Sequence, residues 1–576
     1  MFINKNSFRF IFTKEFFKSS IILIIMWIIF SILELIGIST IPLILSAFLD
    51  KNQLYQIPIL HNFYSSFNLD NNENYLIYFF ILIIFVFFIK NLFFVFLVFV
   101  ETKIYKNISL TVKKKIFEYY FYLPFESHLK QNSSDVVRKI TLDTGNTITY
   151  FISFLTFISQ LILFSIIISF LFLNNFLVTF VALGFFLIIF SLIYLYSNDR
   201  LVKIGKEKQI ITGEILKLIN ESINSIKEVI LYNKNSFLNS IFSKKQNQVQ
   251  QTILKITLLK RIPKSIYEFL SIVLISAMML FLTRYNSLED SLVFVTLFVV
   301  SLLRLLPAIN LCTLNISNMK ATEYSFNLIY EKLNLINKNN LHETQGSKSS
   351  EIFFNSKIEF KNTSFSYDKK EVFKNLNFII PKNSIIGIYG ESGSGKSTLV
   401  NLLCGLLNLR EGKILIDEKN INDVKNSWQS KIGYIPQDIY ILDDSIKNNI
   451  IFNNEDNTNI NKDLKNVIDI SQLNKLIDSL SDGLDTKVGD RGINISGGQR
   501  QRIAIARALY HKPDVLVFDE ATNSLDEITE NNLMDSIYAI KGKTIIIISH
   551  NIKTLNRCEK IFKIESKSIK EIKKIN

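Results

Sequence analysis

Ile385-Ile386-Gly387-Ile388-Tyr389 runs directly into Gly390-Glu391-Ser392-Gly393-Ser394-Gly395-Lys396-Ser397-Thr398, and an apolar helix starts at Leu399. A strand, a glycine-rich turn and a helix in that order form the context in which such a loop cradles phosphate. The glycines let backbone N–H groups turn inward around phosphate oxygens. Lys396 can reach the β- and γ-phosphates, and the Ser397 hydroxyl can ligate Mg²⁺. The helix N-terminus adds its dipole. A second apolar strand, Val515-Leu516-Val517-Phe518, ends in Asp519-Glu520. Asp519 can hold Mg²⁺ through its shell, and Glu520 is placed to polarise an attacking water as general base. Ile495-Ser496-Gly497-Gly498-Gln499, followed by Arg500-Gln501-Arg502, would open a helix with free N–H groups, a second anion site. On a chain whose first phosphate loop is complete, the economical explanation is service to a phosphate held by another copy.

The 576 residues exceed one ordinary domain, and 48% of them are hydrophobic. The apolar residues crowd the first half, whereas the second half alternates strand and helix patterns. Membrane-length runs lie near Ser20–Ala47, Tyr75–Val100, Tyr150–Leu173, Phe176–Tyr196, Ile266–Leu282 and Leu292–Cys312. Lys and Arg collect on the N-terminal arm, in Glu101–Asn146 and after Asn198. The stretches near Asp50–Asn74, Asn174-Asn175 and Arg284–Asp290 carry few. That asymmetry predicts six spans with both termini cytoplasmic, and helices that project from the bilayer toward the soluble domain. The formal net charge of +14 follows the same membrane-flanking clusters and does not point to nucleic acid. The arm with Lys5, Arg9, Lys14 and Lys18 precedes an apolar run too long for a signal core, so it reads as a first membrane helix. Cys312, Cys404 and Cys558 have neither metal nor paired spacing.

Ionisable residues inside spans are functional candidates. Glu34 sits mid-way along the first span, Lys90 inside the second, Lys264 at the start of the fifth and Arg304 inside the sixth near Pro307. Two readings stand for Lys90 and Lys264: cavity lining, or snorkelling to the headgroups. Glu34 could pair with one of the bases. Leu54–Leu69 places Leu60, Phe63, Tyr64 and Phe67 at helical spacing and reads as a short helix in the outer interface. Asn337–Ser350 is polar and aperiodic. It divides a membrane domain, 1–336, from a soluble domain, 351–576, that opens with a strand at Ile352–Phe360.

Taken together these motifs resemble the half-transporters of the ATP-binding cassette (ABC) exporters, over nearly the whole chain. The resemblance implies a six-span, type IV α-helical membrane domain followed by an α/β phosphate-loop nucleotide-binding domain. It implies ATP and Mg²⁺ as cofactors, ATP hydrolysis coupled to translocation, and a homodimer in which each site pairs one copy's phosphate loop with the other's Ser496-Gly497-Gly498-Gln499. On the matching positions Tyr367 would stack on adenine and Gln437 would sense Mg²⁺ and the membrane domain. Asp526, in Ser524-Leu525-Asp526, would cross the dimer interface, and His550 would contact the γ-phosphate. Thr486–Gly492 resembles the stretch that precedes the signature in exporters. Ile495 replaces the usual Leu, and Asn551 follows His550 where Arg is common. Helices near 133–137 and 220–225 would dock on the cassettes.

The cargo is less clearly written. Ser31-Ile-Leu-Glu34 ahead of Pro42, Pro263-Lys264 with Tyr267-Glu268, and Leu303-Arg304-Leu305-Leu306-Pro307-Ala308 are similar to bacterial flippases of polyprenyl-pyrophosphate-linked oligosaccharides. That resemblance implies that Lys90, Lys264 and Arg304 hold a pyrophosphate, whose compact charge buried cations would compensate. Leu311 stands where a further base would be expected. The alternatives are a peptide or bacteriocin exporter, a lipid A or drug exporter, and, from another class, an ATP-gated channel or regulatory ATPase.

Overall fold

A computed structural model describes residues 14–49, 75–174, 176–285, 288–339, 352–368, 370–452, 460–489, 492–521 and 527–572. The interfacial segment at 54–69, most of the linker and the Ser524–Asp526 stretch lie outside the described residues. By Cα proximity the chain forms two units: Met1–Leu123 with Gln131–Asn339, and Pro124–Lys130 with Asn340–Asn576.

In the first unit six long helices carry the predicted spans: α1 (Lys14–Leu49), α2 (Tyr75–Phe121), α5 (Thr144–Asn174), α6 (Phe176–Asn224), α8 (Asn235–Tyr285) and α9 (Leu288–Asn339). All six are long and apolar enough to cross a membrane. Four of them continue well past their apolar part, as α2 does to Phe121 and α6 to Asn224. Phe30, Leu97, Leu163, Ile167 and Leu305 pack α1, α2, α5 and α9 together. A second cluster joins α6, α8 and α9 through Phe186, Tyr267, Met278, Phe298 and Leu302. α9 thus belongs to both clusters. The outward faces stay apolar: Ile84, Phe85 and Val95 of α2 and Leu177 and Leu192 of α6 are exposed, as expected where lipid is the solvent.

Pro124 ends the run of α2 and opens the five-residue α3 (Phe125–Leu129). This short helix is the piece of the chain's first half that groups with the second unit, where Phe125 packs on the core and Lys130 meets Asp368 at 2.8 Å. The stretch 133–137 singled out from sequence lies one helix later, in α4 (Ser133–Arg138) of the first unit, where Asn220 Nδ2 donates to Ser134 Oγ at 3.0 Å. A π-helical turn, Lys139–Asp143, leads into α5, and α7 (Ile226–Leu231) follows α6.

The second unit holds two sheets. β1 (Lys357–Tyr367), β2 (Lys370–Pro381), β4 (Glu411–Ile416) and β5 (Lys419–Asn420) form an antiparallel sheet in the order β2-β1-β4-β5. β3 (Ile385–Tyr389), β6 (Ile432–Ile435), β7 (Val515–Asp519), β8 (Thr544–Ser549), β9 (Lys560–Glu565) and β10 (Ser568–Ile572) form the other, in the order β10-β9-β3-β8-β7-β6. From β9 to β6 its neighbours are parallel. β7 and β8 are buried throughout, which is why they read as unbroken apolar runs. The opening strand starts later than expected. Asp417 takes the backbone N–H groups of Asn355, Ser356 and Lys357 and the Ile352 N–H donates to Ser427 Oγ, so side chains and not a neighbouring strand anchor Ile352–Asn355. Ile352 and Phe354 still enter the core.

Gly205 of α6 crosses α9 so closely that an added Cβ would meet the Ala321 carbonyl oxygen, while a Cβ at Gly184 meets nothing within 4 Å. We expect Gly205→Ala to destabilise the purified protein by about 1–3 kcal/mol, because backbone cannot move aside as a side chain can. Gly184→Ala should leave the melting temperature unchanged or slightly raised. Equal melting curves for the two variants would refute this packing.

Candidate functional site

The parallel sheet brings four chain ends to one edge. β3 pairs with β8 so that Tyr389 lies opposite Ser549, and β7 pairs with β8 so that Asp519 lies opposite Ile548. The phosphate loop after Tyr389, Asp519-Glu520, His550 after Ser549 and Gln437 after β6 therefore converge, the arrangement by which open α/β sheets build sites at strand C-termini.

In the loop Gly393 and Gly395 adopt φ of +80° and +105°. A Cβ at Gly395 would lie 2.8 Å from Phe373 Cζ, so both backbone and space demand glycine there. α10 (Lys396–Leu403) begins at once. Lys396 Nζ donates to the carbonyls of Gly390 (2.8 Å) and Glu391 (3.1 Å), which folds the side chain over the loop. Ser394 Oγ is buried and finds no hydrogen-bond partner among the described residues. Ser392 and Ser397 are exposed, and Thr398 is buried in α10. A loop with an orphaned hydroxyl, a lysine and a helix N-terminus fits a polyphosphate. Ser397 and Asp519 supply the hard oxygen donors that suit Mg²⁺.

Glu520 is the hub of the site. Its carboxylate lies 3.3 Å from Lys396 Nζ, accepts from Gln437 Nε2 at 3.0 Å and lies 3.5 Å from His550 Nδ1. Its backbone sits at φ +50°, a left-handed conformation uncommon for glutamate, held by a bond from its N–H to the Ile548 carbonyl. Asp519 is buried at 5% exposure and accepts from Tyr434 Oη at 3.2 Å, a partner the sequence did not announce. Burial pushes the Asp519 carboxyl above the usual range, and the Tyr434 hydroxyl pulls it back. Cys404, behind the loop, is a buried free thiol pushed up to about 12 by burial.

Tyr367 ends β1, half-buried and edge-on to Phe365. Ser496 caps α15 (Gly497–Tyr510), the helix numbered after α11 (Lys425–Gln429), α12 (Ile446–Ile451), α13 (Ile460–Ile470) and α14 (Asn474–Asp478). Ser496 Oγ accepts from Gln499 N and Gln499 Oε1 accepts from Ser496 N, a reciprocal cap that leaves the hydroxyl proton available. Gly497 and Gly498 fill the first turn of that helix, where backbone N–H groups lack helical partners. Asp526 lies outside the described residues.

In the first unit Glu34 of α1 bridges two bases. Lys90 Nζ of α2 lies 3.0 Å from Oε2, and Arg304 Nε of α9 lies 2.8 Å from Oε1. The pairing expected for Glu34 is thus double. Lys90 turns inward and does not snorkel, its ammonium 4.7 Å from the Phe87 ring. These three residues line a cavity of about 480 Å³ with Asn91, Gln160 and Leu311 among its other walls. Glu101 stands at another point of the same wall, about 16 Å along α2 from Lys90. Lys264 does not join them: it is exposed and paired with Glu268 at 3.6 Å on its own helix.

A family model for ABC transporters matches residues 373–523, and one for the ABC transporter transmembrane region matches residues 24–306. The chain belongs to the ABC transporter family. It carries one membrane region and one ATP-binding domain, the half-transporter arrangement of the exporters. Among similar proteins is a putative export ATP-binding/permease protein of Rickettsia prowazekii, 41% identical over 36% of this chain and 37% of that protein. Another is the ATP-dependent lipid A-core flippase of Burkholderia thailandensis, 28% identical over 65% of this chain and 63% of that protein. The matches therefore span 37% and 63% of those relatives' own lengths. A solved bacterial Atm1-family ABC exporter with ATP bound shares the fold, with a TM-score of 0.74 over 96% of this chain and 94% of that one, at 20% identity.

Tyr434→Phe removes the donor that lowers the Asp519 carboxyl. A protonated Asp519 is a poor Mg²⁺ ligand, so we expect the acid limb of the pH profile of ATP hydrolysis to move to higher pH, with the alkaline limb unmoved. An unchanged acid limb would show that the Tyr434 bond does not tune the metal site.

Proposed function

We propose that this ABC transporter is an ATP-driven exporter that works as a homodimer in a bacterial cytoplasmic membrane, with the nucleotide-binding domain and both termini cytoplasmic. Its cargo on this reading is a polyprenyl-pyrophosphate-linked oligosaccharide, moved from the inner to the outer leaflet. The observation that carries the cargo reading is the Lys90–Glu34–Arg304 cluster, with Lys90 and Glu34 buried and Arg304 reaching into a mixed polar and apolar cavity of about 480 Å³. Cations inside spans are costly, and a buried base beside one that reaches into the cavity fits a compact lipid-borne anion.

The engine follows from the geometry at Glu520. The β- and γ-phosphates of ATP would take Lys396 from the Glu520 carboxylate. Glu520, freed of that ion pair, accepts a proton from water as the water oxygen attacks the γ-phosphorus and the bond to the β-phosphate oxygen breaks. Ser397, Asp519 and Gln437 would hold Mg²⁺, which neutralises charge on the phosphate oxygens. His550 would orient the γ-phosphate, Tyr367 would stack on adenine, and the second copy's Ser496–Gln499 turn would close the site.

The lipid A-core flippases among the relatives favour a second reading, lipid A-core as cargo. Lipid A is also a phosphorylated glycolipid, so the same cations would serve it.

Proteoliposomes with a fluorescent polyprenyl-pyrophosphate oligosaccharide test the first reading. We expect ATP-dependent loss of inner-leaflet probe with the native protein. Glu520→Gln should retain ATP binding while hydrolysis falls about 100-fold or more, and flipping should stop with it. Arg304→Ala should lower the amount of probe moved per ATP hydrolysed. Absence of movement while native hydrolysis proceeds would reject this cargo, and movement of lipid A in the same vesicles would establish the second.

A further inference from the structure

Glu34 is 5% exposed and Lys90 6%, yet the Arg304 side chain is 50% exposed. The cluster is therefore asymmetric: a sealed acid–base pair, with a second base reaching into the cavity. It carries one acid and two bases, a net charge of +1. Arg304 spends its Nε on Glu34, which leaves the two terminal nitrogens of the guanidinium as a fork of the kind that binds phosphate oxygens. The three residues belong to three helices, so the Glu34–Arg304 contact is a tie between α1 and α9, while Lys90 ties α2 to α1.

Resting on the reading of this cavity as an anion site, we propose that Glu34 is a resident counter-ion that the cargo's anionic group displaces from Arg304, so that the Glu34–Arg304 pair is a latch between α1 and α9 that anionic cargo opens. A phosphate group meets the terminal nitrogens of Arg304 first and then competes with Glu34 for the guanidinium. Glu34 keeps Lys90 as its partner, so neither carboxylate nor ammonium is left buried and uncompensated, the condition that makes breaking such pairs costly. The exchange leaves two neutralised pairs where one acid had served two bases. Its mechanical result is that α9, the helix shared by both core clusters, loses its ionic tie to α1 at this depth and keeps only the apolar packing of Phe30 and Leu305. A neutral lipid entering the same cavity has nothing to offer Arg304 and leaves the latch shut. Glu34 thus acts as a positioning and selectivity residue, and its effect depends on the charge of the probe.

The test is equilibrium binding to the full chain in nanodiscs, with farnesyl pyrophosphate, dimyristoyl phosphatidic acid and neutral farnesol as probes. Removing the competing charge by Glu34→Gln should tighten farnesyl pyrophosphate by about tenfold or more, since the competitor is a full charge in hydrogen-bond range of Arg304. Farnesol should bind unchanged, and adding Arg304→Ala should cancel the gain. If Glu34→Gln does not fold, Glu34→Asp, which withdraws the carboxylate by one carbon, should shift the anionic probes in the same direction by less. Native binding of farnesyl pyrophosphate above farnesol, with no gain in a folded Glu34 variant, would overturn the latch and leave the cargo reading standing. A gain confined to phosphatidic acid would uphold the latch and reject pyrophosphate as cargo. No gain for either anionic probe, or an equal gain for farnesol, would overturn the latch.

Discussion

A cation positioned to receive phosphate must have a partner when phosphate is absent, and in this chain carboxylates fill that place. Lys396 of the phosphate loop rests against Glu520 at 3.3 Å, and Arg304 and Lys90 rest against Glu34 at 2.8 and 3.0 Å. For Lys396 and Lys90, which are buried, an unpaired charge would cost several kcal/mol. At Glu520 the carboxylate that holds the lysine also accepts from Gln437. At Glu34 the pair also joins two helices, so exchange of partners has a structural consequence.

The scaffolds that hold these groups differ. In the soluble unit a buried parallel sheet fixes four strand ends within hydrogen-bond reach of one carboxylate, and the left-handed backbone at Glu520 is kept by its bond to Ile548. In the membrane unit the bases are carried by separate long helices, with α9 packed into both apolar clusters. The short helix α3, cut from α2 by Pro124, seats Phe125 in the soluble unit's core.

The features most legible in the sequence were those written in local periodicity. Unbroken apolar runs gave β3, β7 and the six long helices, and glycines at fixed spacing gave the phosphate loop with its positive φ angles. What local pattern could not carry was choice of partner. Tyr434 reaches Asp519 across 85 residues and nothing near Tyr434 signals it. Lys264 and Lys90 look alike as bases in or beside spans, but Lys264 has an acid four residues on and stays exposed, whereas Lys90 has none on its own helix turn and folds inward to Glu34. Phe125, beside a proline, shows itself as a core residue of the soluble unit only once the core it enters is known.

The most direct measurement is ATP hydrolysis by the reconstituted protein, titrated with an isoprenoid pyrophosphate and with the matching isoprenoid alcohol. If arriving negative charge is what the membrane cations answer to, and that answer reaches the nucleotide site, the pyrophosphate accelerates hydrolysis and the alcohol does not. Equal acceleration by both, or none by the pyrophosphate while it demonstrably binds, would contradict the account.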